Sequence, residues 1–305
     1  MKRSPLLFLA GVALASCGGP SASSQSSALN SSAEEPASTE ELTSVEEEVL
    51  DYHPEGYSLT WSDEFDGNAL STDDWGYEIG NNNGWGNNEL EYYTDHNERV
   101  ENGLLTITAK AEETVDDDKA FHYTSSRLLT RHKRYFTYGY MCARIRLPLG
   151  TGLWPAFWMM PEKNFEGEGH TWWPTPGEID IMEAKGRLPE NASGALHYSS
   201  NGLGGNHTYQ AKEDTGFGRI DDFHVYAIEW TDEKIVWLHD GNPFFTVEKS
   251  VWNRGYGVED DTPFNKDFFF ILNLAVGGNF DGGRKPDDTF ESADMDVDFV
   301  RCYQI

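Results

Sequence analysis

Residues 177–183 read Gly-Glu-Ile-Asp-Ile-Met-Glu, so three carboxylates fall within six residues with apolar side chains between them. Side chains alternate between the two faces of a β-strand, which puts Glu178 and Asp180 on one face and Ile179 and Ile181 on the other. This alternation predicts a strand with one acidic face and one face buried in a core.

Strict alternation fails at the end of this stretch. It would put Met182 beside the acids and Glu183 in the apolar layer, where a carboxylate is costly. One extra residue at Ile181 or Met182, a β-bulge, removes the conflict and returns Glu183 to the acidic face. We therefore predict a bulged strand whose acids line one wall, with Glu178 and Glu183 at the two ends.

Two carboxyl groups on one wall suit glycoside hydrolysis. A retaining glycosidase uses one as nucleophile and the other as acid/base, roughly 5–5.5 Å apart. A solvated acidic strand edge would have the same local pattern, so the heptapeptide alone leaves both interpretations open.

Other sequence motifs in the chain support the interpretation as an enzyme over that as a solvated strand edge. Residues 178–183 resemble the active-site strand of glycoside hydrolase family 16, in the bulged form of its laminarinase-like members. Similar blocks follow the family's order at residues 61–66, 84–93, 138–140, 153–158, 173–177, 273–278 and 297–301. The resemblance spans about residues 57–305. It implies an all-β jelly-roll sandwich of two antiparallel sheets, with a substrate cleft along the concave sheet.

The same resemblance implies roles for the three acids. Glu178 matches the nucleophile, Glu183 the acid/base and Asp180 the residue between them. Glu183 must hold a proton at the working pH, and crowding of like charges raises its pKa in the required direction. We expect Asp180 to share a proton with Glu178 and to hold its orientation.

Aromatic and polar side chains supply the candidate sugar contacts. The resemblance implies that Trp154 and Trp173 floor the subsites that flank the cleaved bond. Further candidates lie in blocks beside the catalytic strand or match cleft positions of the family: Trp85, Asn87, Arg127, Trp158 and His197. We expect His197 on the neighbouring strand, near Glu183. Three other tryptophans are expected in the core or at the surface: Trp230, Trp237 and Trp252.

The first residues predict export. A basic start and the short apolar run 6–15 are typical of a signal peptide and too short to span a membrane. Residues 14–17, Leu-Ala-Ser-Cys, resemble a bacterial lipobox, which predicts removal of residues 1–16 and lipidation of Cys17. We expect a protein anchored by lipid to the bacterial cell envelope or cell surface.

The next segment differs in composition. Residues 17–55 are rich in Ser, Ala, Glu and Pro and nearly free of aromatics, which predicts a disordered acidic tether. Residues 56–305 then form a single catalytic domain. Just before the catalytic strand, residues 165–172 are an insertion without a family counterpart, and we expect it to bear on specificity.

The net charge of −29, from 23 basic and 52 acidic residues, limits the partners. It argues against nucleic acid, which binds largely through Lys and Arg, and it disfavours strongly sulfated polysaccharides. A neutral polysaccharide fits best. We expect a monomer that meets the membrane only through its lipid anchor.

Alternating and β-branched runs predict many short strands. They occur at residues 104–109, 140–147, 224–230, 234–238, 244–247, 268–274 and 295–303, and Asp240-Gly241 is a hairpin signal between two of them. Cys142 and Cys302 each fall in such a run. Whether they pair is left open by the sequence.

The catalytic chemistry requires no cofactor. The family resemblance implies one structural calcium ion, with Glu64, the carbonyl of Gly103 and Asp298 as the matching ligands, and oxygen ligands suit Ca²⁺. Ordinary hydrogen bonds of these side chains are the alternative.

The expected activity is retaining endo-hydrolysis of β-1,3-glucan such as laminarin. Two alternatives stay open. One is a family 16 hydrolase of agarose, carrageenan, porphyran or mixed-linkage glucan. The other is a surface glycan-binding lipoprotein without catalysis, which would gain nothing from three crowded carboxylates.

Overall fold

The structure, a computed structural model, describes residues 52–162, 173–200, 207–253 and 263–305. These ranges contain seventeen strands: β1 Ser58–Asp63, β2 Gly76–Tyr77, β3 Glu91–Tyr93, β4 Glu98–Glu101, β5 Leu104–Asp116, β6 Lys119–Ser125, β7 Arg127–Leu129, β8 Gly139–Arg146, β9 Leu153–Pro161, β10 Glu178–Ala184, β11 Ala192–Ser199, β12 His207–Asp214, β13 His224–Trp230, β14 Lys234–His239, β15 Asn242–Glu248, β16 Phe268–Val276 and β17 Ser292–Gln304. Helix α1, Lys249–Trp252, is one turn long, and Pro263–Asn265 form a short 3-10 helix.

The strands form two sheets. A ten-stranded sheet runs β15-β14-β13-β8-β17-β5-β6-β3, with β1 beside β17 and β4 beside β5. A seven-stranded sheet runs β12-β11-β10-β9-β16-β7-β2 and places β10 between β11 and β9. All strand pairs among the described residues are antiparallel except β3 with β6. This confirms the predicted sandwich of two largely antiparallel sheets.

The main hydrophobic core contains apolar residues from both sheets. Met141, Ala143 and Ile145 of β8 belong to it, as their alternation predicts, and so do Ile179 and Ile181 of β10. Strand β16 is buried along its whole length, in keeping with its continuous apolar run. The three tryptophans assigned to the core or surface are buried: Trp230, Trp237 and Trp252.

Two local predictions concern the ten-stranded sheet. Asp240 and Gly241 form the two-residue loop between β14 and β15, each with positive φ (48° and 72°), the geometry that favours Asp-Gly. Cys302 packs in the main core, whereas Cys142 belongs to a second cluster with Tyr140 and Val225. The two thiols therefore lie on opposite faces of the sheet and are not joined.

Several predictions lie outside the described residues. These are the signal peptide, Cys17, the tether as far as residue 51 and the insertion at 165–172. In the described ranges no helix is long and apolar enough to cross a membrane.

Candidate active site

Strand β10 contains the predicted bulge. On β9, Asp180 pairs with Trp158 and Met182 with the adjacent Phe157, so Ile181 is the extra residue. Ile181 and Met182 are both fully buried, while Glu183 is partly exposed. The bulge thus returns Glu183 to the face that carries Glu178, as predicted, and the β9 register decides between the two positions left open.

Two side chains satisfy the backbone carbonyls that the bulge frees. Trp237, from the facing sheet, donates Nε1–H to the carbonyl of Asp180 at 2.8 Å, and Ser193 Oγ donates to the carbonyl of Glu183 at 3.3 Å. Gly194 makes room for the indole, since a Cβ there would lie 2.3 Å from Trp237 Cδ1. Sequence reasoning assigned Trp237 to packing and missed this role.

At one end of the wall, Glu178 Oε2 accepts a hydrogen bond from Trp173 Nε1 at 3.0 Å. His197 lies directly opposite Glu178 on β11, with Nε2 3.9 Å from Glu178 Oε1 and 3.1 Å from Asp180 Oδ2. His197 lies on the neighbouring strand, as predicted, and it is close enough to Glu183 to lower the pKa of that acid, although its direct partner across the strands is Glu178. Ser193 pairs with Glu183, and His197 is four residues further along β11.

At the other end, Glu183 Oε1 accepts a hydrogen bond from Trp154 Nε1 at 2.9 Å. The Trp154 ring stacks on Phe280, with centroids 4.9 Å apart, and Lys185 Nζ lies 4.4 Å from the same phenyl ring. Gly278, at φ +81°, passes beneath the indole, where a Cβ would come within 2.9 Å of it. Phe280 has no motif signal that could have identified it.

The electrostatics of the wall favour protonated acids. Burial raises the pKa of each acid, Glu178, Asp180 and Glu183, to about 8. Repulsion from Asp180 further raises the pKa of both glutamates, while His197 and the indole N–H groups lower it. Because one carboxylate disfavours the next, the first proton leaves the trio more easily than the others. The wall can therefore hold an ionised carboxylate and a carboxylic acid together.

This bulged wall can be compared with known proteins. The sequence model of Glycosyl hydrolases family 16 matches residues 85–268. The chain belongs to this family. It is accordingly a glycoside hydrolase.

Individual members of the family can also be compared with this chain. The chain is 42% identical over 249 residues to a glucan endo-1,3-beta-glucosidase of Cryptopygus antarcticus, covering 77% of this chain and 85% of that protein. It is 39% identical to glucan endo-1,3-beta-glucosidase A1 of Niallia circulans, covering 82% of this chain but only 38% of that longer protein. The laminarinase catalytic domain of Thermotoga maritima superposes with a TM-score of 0.72 at 38% identity, covering 82% of this chain and 98% of that one.

The remaining candidate residues of this family 16 hydrolase extend the acidic face. Register places Arg127, Asn273, Ala156 and Glu183 in one row across the seven-stranded sheet. The Arg127 guanidinium lies 4.5 Å from the Trp85 ring centroid and 4.8 Å from that of Trp158.

Arg127 also has an acidic neighbour. Its Nε lies 2.6 Å from Glu78 Oε2, and Trp158 Nε1 donates to Asn273 Oδ1 at 2.8 Å. Trp85, Arg127 and Trp158 therefore form one stacked unit, and Asn273 is a contact that motif reading did not single out.

Asn87 lies in the loop before β3. Its Nδ2 donates to Glu89 Oε1 at 3.2 Å, and its carbonyl accepts from the backbone N–H of Asn279 at 2.7 Å. A Cβ added at Gly278 would lie 3.5 Å from this carbonyl and 2.9 Å from the Trp154 ring, so the carbonyl and the indole flank the same glycine. Asn87 is thus at the Glu183 end of the wall.

The described residues hold one group of three side chains whose ligand atoms could meet on a metal: Glu178, Asp180 and His197, within 4.8 Å of one another. An ion held there would occupy the Glu178 carboxylate, which the family resemblance predicts to be the nucleophile.

The candidate calcium ligands have other partners. Glu64 accepts from Arg301 through both carboxylate oxygens, at 2.9 and 2.7 Å, and Asp298 Oδ2 accepts from Arg144 at 2.9 Å. The two guanidinium groups beside these carboxylates disfavour a cation at this place. The site stays a prediction, and an unchanged melting temperature after EDTA treatment would count against it.

Proposed function

We propose that this chain is a retaining endo-hydrolase of β-1,3-linked glucan. The single observation that carries the proposal is the bulge at Ile181, which places Glu183 on the same face as Glu178. Each glutamate also accepts an indole N–H from a tryptophan that can serve as a sugar platform, Trp173 or Trp154. Two carboxyls with separate aromatic floors suit a sugar bound on each side of the cleaved bond.

The proposed reaction has two steps. Glu178 attacks the anomeric carbon while Glu183 donates its proton to the departing glycosidic oxygen, which leaves a covalent glycosyl–Glu178 ester. Glu183 then removes a proton from water, the water oxygen attacks the same carbon, and Glu178 departs as a carboxylate. Burial raises the pKa of both Glu183 and Glu178 to about 8, and because like charges repel, loss of the first proton from the trio leaves one carboxylate beside a protonated acid, as the two roles require.

Asp180 lies between the two glutamates. It is buried, and burial raises its pKa to about 8, so it holds a proton when Glu178 is ionised. A protonated Asp180 can donate to the Glu178 carboxylate and hold it toward the sugar. This is an orienting role, distinct from nucleophile and acid.

The names of the relatives support the substrate. Both curated proteins are glucan endo-1,3-beta-glucosidases and the solved domain is a laminarinase. The net charge of −29 also favours a neutral glucan over sulfated galactans.

A substrate panel tests this choice. We expect reducing sugar from laminarin, less from lichenan and none from agarose or carrageenan, with the β-anomer as the first product by NMR. Release from a galactan but not from laminarin would replace the proposed substrate.

Loss of the nucleophile tests the mechanism. Glu178→Gln should abolish hydrolysis while laminarin binding, measured by calorimetry, survives. The matched control is Glu233→Gln, an exposed carboxylate in the β13–β14 turn, which should keep wild-type rates. If purified Glu178→Gln keeps most of its activity, the assignment is wrong.

The binding-protein alternative has a separate test. A glycan-binding lipoprotein would bind laminarin and release no reducing sugar, and its Glu178→Gln and wild-type forms would behave alike. The wall of three acids with raised pKa values argues for catalysis, since it costs stability and adds nothing to binding.

Anchoring through Cys17 is also a proposal, supported by the lipobox-like residues 14–17. Partition of the full chain into the detergent phase, and its loss in Cys17→Ser, would support the anchor. Equal partition of both forms into the aqueous phase would contradict it.

A further inference from the structure

Two histidines extend the catalytic wall beyond the three acids. His197 Nε2 lies 3.1 Å from Asp180 Oδ2, and His197 Nδ1 lies 2.8 Å from His207 Nε2. The His197 side chain is 19% exposed, whereas His207 is exposed at the start of β12. A row of polar contacts therefore runs from the buried Asp180 to a ring in contact with solvent.

The position of His207 follows from strand register. His197 pairs with Tyr209 and Ser199 with His207, so His207 is the diagonal neighbour of His197 on the same face. The rings of His197 and His207 are nearly parallel, with centroids 5.1 Å apart and 13° between planes. The His207 ring also packs on Trp173, the indole that donates to Glu178, at 4.5 Å.

The short nitrogen–nitrogen contact requires one proton between the rings. If His207 supplies it, His197 Nδ1 is bare and the His197 proton lies on Nε2, facing the Asp180 oxygen. If His197 takes up a second proton, His207 becomes the acceptor and Nε2–H still faces Asp180. In the remaining tautomer a bare Nε2 would face Asp180, where it accepts from a protonated Asp180 but repels the carboxylate, so the tautomer must be measured directly.

Other charges act on this pair. The titratable groups that face His197 in the described ranges are Glu178, Asp180 and Glu183 on β10 and His207 and Tyr209 on β12. Burial and the nearby His197 lower the pKa of His207, so at neutral pH His207 is an uncharged ring with one proton to donate. A Nε2–H on His197 then stabilises negative charge on Asp180 and Glu178.

We propose that His207 is a positioning residue of the hydrolase: it donates Nε2–H to His197 Nδ1 and thereby holds His197 as the Nε2–H donor that faces Asp180. This arrangement makes ionisation of the Asp180–Glu178 pair easier. Glu178 therefore becomes a carboxylate, the form that acts as nucleophile, at a lower pH. The inference rests on the proposed hydrolysis, and it assigns a role to a residue outside every motif that carries the family resemblance.

Two variants separate the hydrogen bond from the ring. His207→Phe keeps a ring against Trp173 and removes the nitrogen, whereas His207→Gln places an amide N–H near the position of Nε2. For laminarin hydrolysis we expect His207→Phe to lower kcat about tenfold, since a lost hydrogen bond to a charged network is worth about 1.5 kcal/mol, with a small change in KM. The acid limb of its pH profile should move up by about half a unit or more. His207→Gln should restore most of kcat and the wild-type limb.

The control variant removes a neighbouring ring. Tyr209→Leu takes away the ring that stacks on both His197 and His207, at 5.6 and 5.8 Å, and keeps both nitrogens of the contact between the imidazoles. It should leave the acid limb in place. If Tyr209→Leu and His207→Phe move the limb equally, ring packing and not the nitrogen contact is responsible, and the proposal fails.

A readout independent of turnover is the ¹⁵N spectrum of the histidine-labelled wild-type protein. Near neutral pH we expect a bare Nδ1 and a protonated Nε2 on His197, and a protonated Nε2 on His207. A protonated Nδ1 with a bare Nε2 on His197 would overturn the proposal even if no variant folds. A wild-type protein that cleaves no glucan but shows the expected tautomers would contradict the proposed function alone.

Discussion

The two ends of the acidic wall use the same contact in different surroundings. Each glutamate accepts one indole N–H, Glu178 from Trp173 and Glu183 from Trp154, at 3.0 and 2.9 Å. Trp173 is 43% exposed and packs on His207, whereas Trp154 stacks on Phe280. Identical side chains can thus be given different tasks by what lies behind them.

The charges behind the two ends differ most. His197 lies opposite Glu178, 3.1 Å from Asp180, and so can support negative charge at that end. Near Glu183 the cation is Lys185, held over Phe280 and 3.6 Å from Glu213. His197 lowers the pKa of both glutamates and Lys185 lowers that of Glu183, so the close contact of His197 with Asp180 is what distinguishes the Glu178 end.

The largest expected effects come from removing either glutamate, and they differ in kind between the two ends. Glu183→Gln should lower laminarin hydrolysis by roughly 10²–10⁴-fold, the usual contribution of general acid–base catalysis. With an aryl glycoside whose leaving group needs no proton, it should still release a burst of phenol as the ester on Glu178 accumulates. Glu178→Gln should give no burst. A burst from Glu178→Gln would reverse the two roles.

The tryptophan contacts allow a sharper comparison. Trp173→Phe and Trp154→Phe keep an aromatic floor and remove one N–H each, and each N–H lowers the pKa of its glutamate. Trp173→Phe should therefore move the acid limb of the pH profile upward, and Trp154→Phe the alkaline limb, each with about a tenfold loss of kcat. Equal effects on the same limb would show that the ends are not distinct.

Stability should show the cost of the crowded acids. The pKa values of Glu178 and Glu183 are about 8 in the folded protein and lower in the unfolded chain. The unfolded chain therefore loses these protons first, and the free energy of unfolding falls as pH rises from about 4.5 toward 8. Glu178→Gln and Glu183→Gln should remove the loss and raise the melting temperature at pH 8 by about 3 °C or more, and by less at pH 5. Glu233→Gln, exposed in a turn, is the control and should not show this pH dependence.

The smallest expected effect concerns Lys185. Its charge lowers the pKa of Glu183, so Lys185→Gln should move the alkaline limb upward by a few tenths of a unit and leave the acid limb unchanged. The substitution also removes the ammonium group that lies over the Phe280 ring. A shift of the acid limb instead would mean that Lys185 acts on the Glu178 end.

The sequence could predict the bulge because a glutamate in an apolar layer has a recognisable cost. It could not choose between Ile181 and Met182, since that depends on the register with β9. The pairing of His197 with Glu178 could not be predicted for the same reason: residue counting through a connection does not fix where the next strand begins. Ala192 starts β11 opposite Ala184, which puts His197 at the Glu178 end.

The sequence alone could not predict contacts between distant segments of the chain. Trp237 reaches the bulge from the other sheet, and His207 meets His197 only through the register of β12. Arg301 lies in a recognised block, but nothing local indicates its paired hydrogen bonds to Glu64, which weaken the calcium prediction. Strands could be predicted because alternation depends on neighbouring residues. The family could be predicted because several sequence motifs occur in the family's order.

The most direct measurement of the central claim uses azide with an activated aryl β-glucoside. In Glu178→Ala, azide should replace the nucleophile, attack from the face opposite the leaving group and give an α-glycosyl azide. In Glu183→Ala, Glu178 should form the ester and azide should displace it from the other face, giving a β-glycosyl azide. The account predicts these two opposite anomers by NMR. The reverse assignment, or the same anomer from both variants, would contradict it.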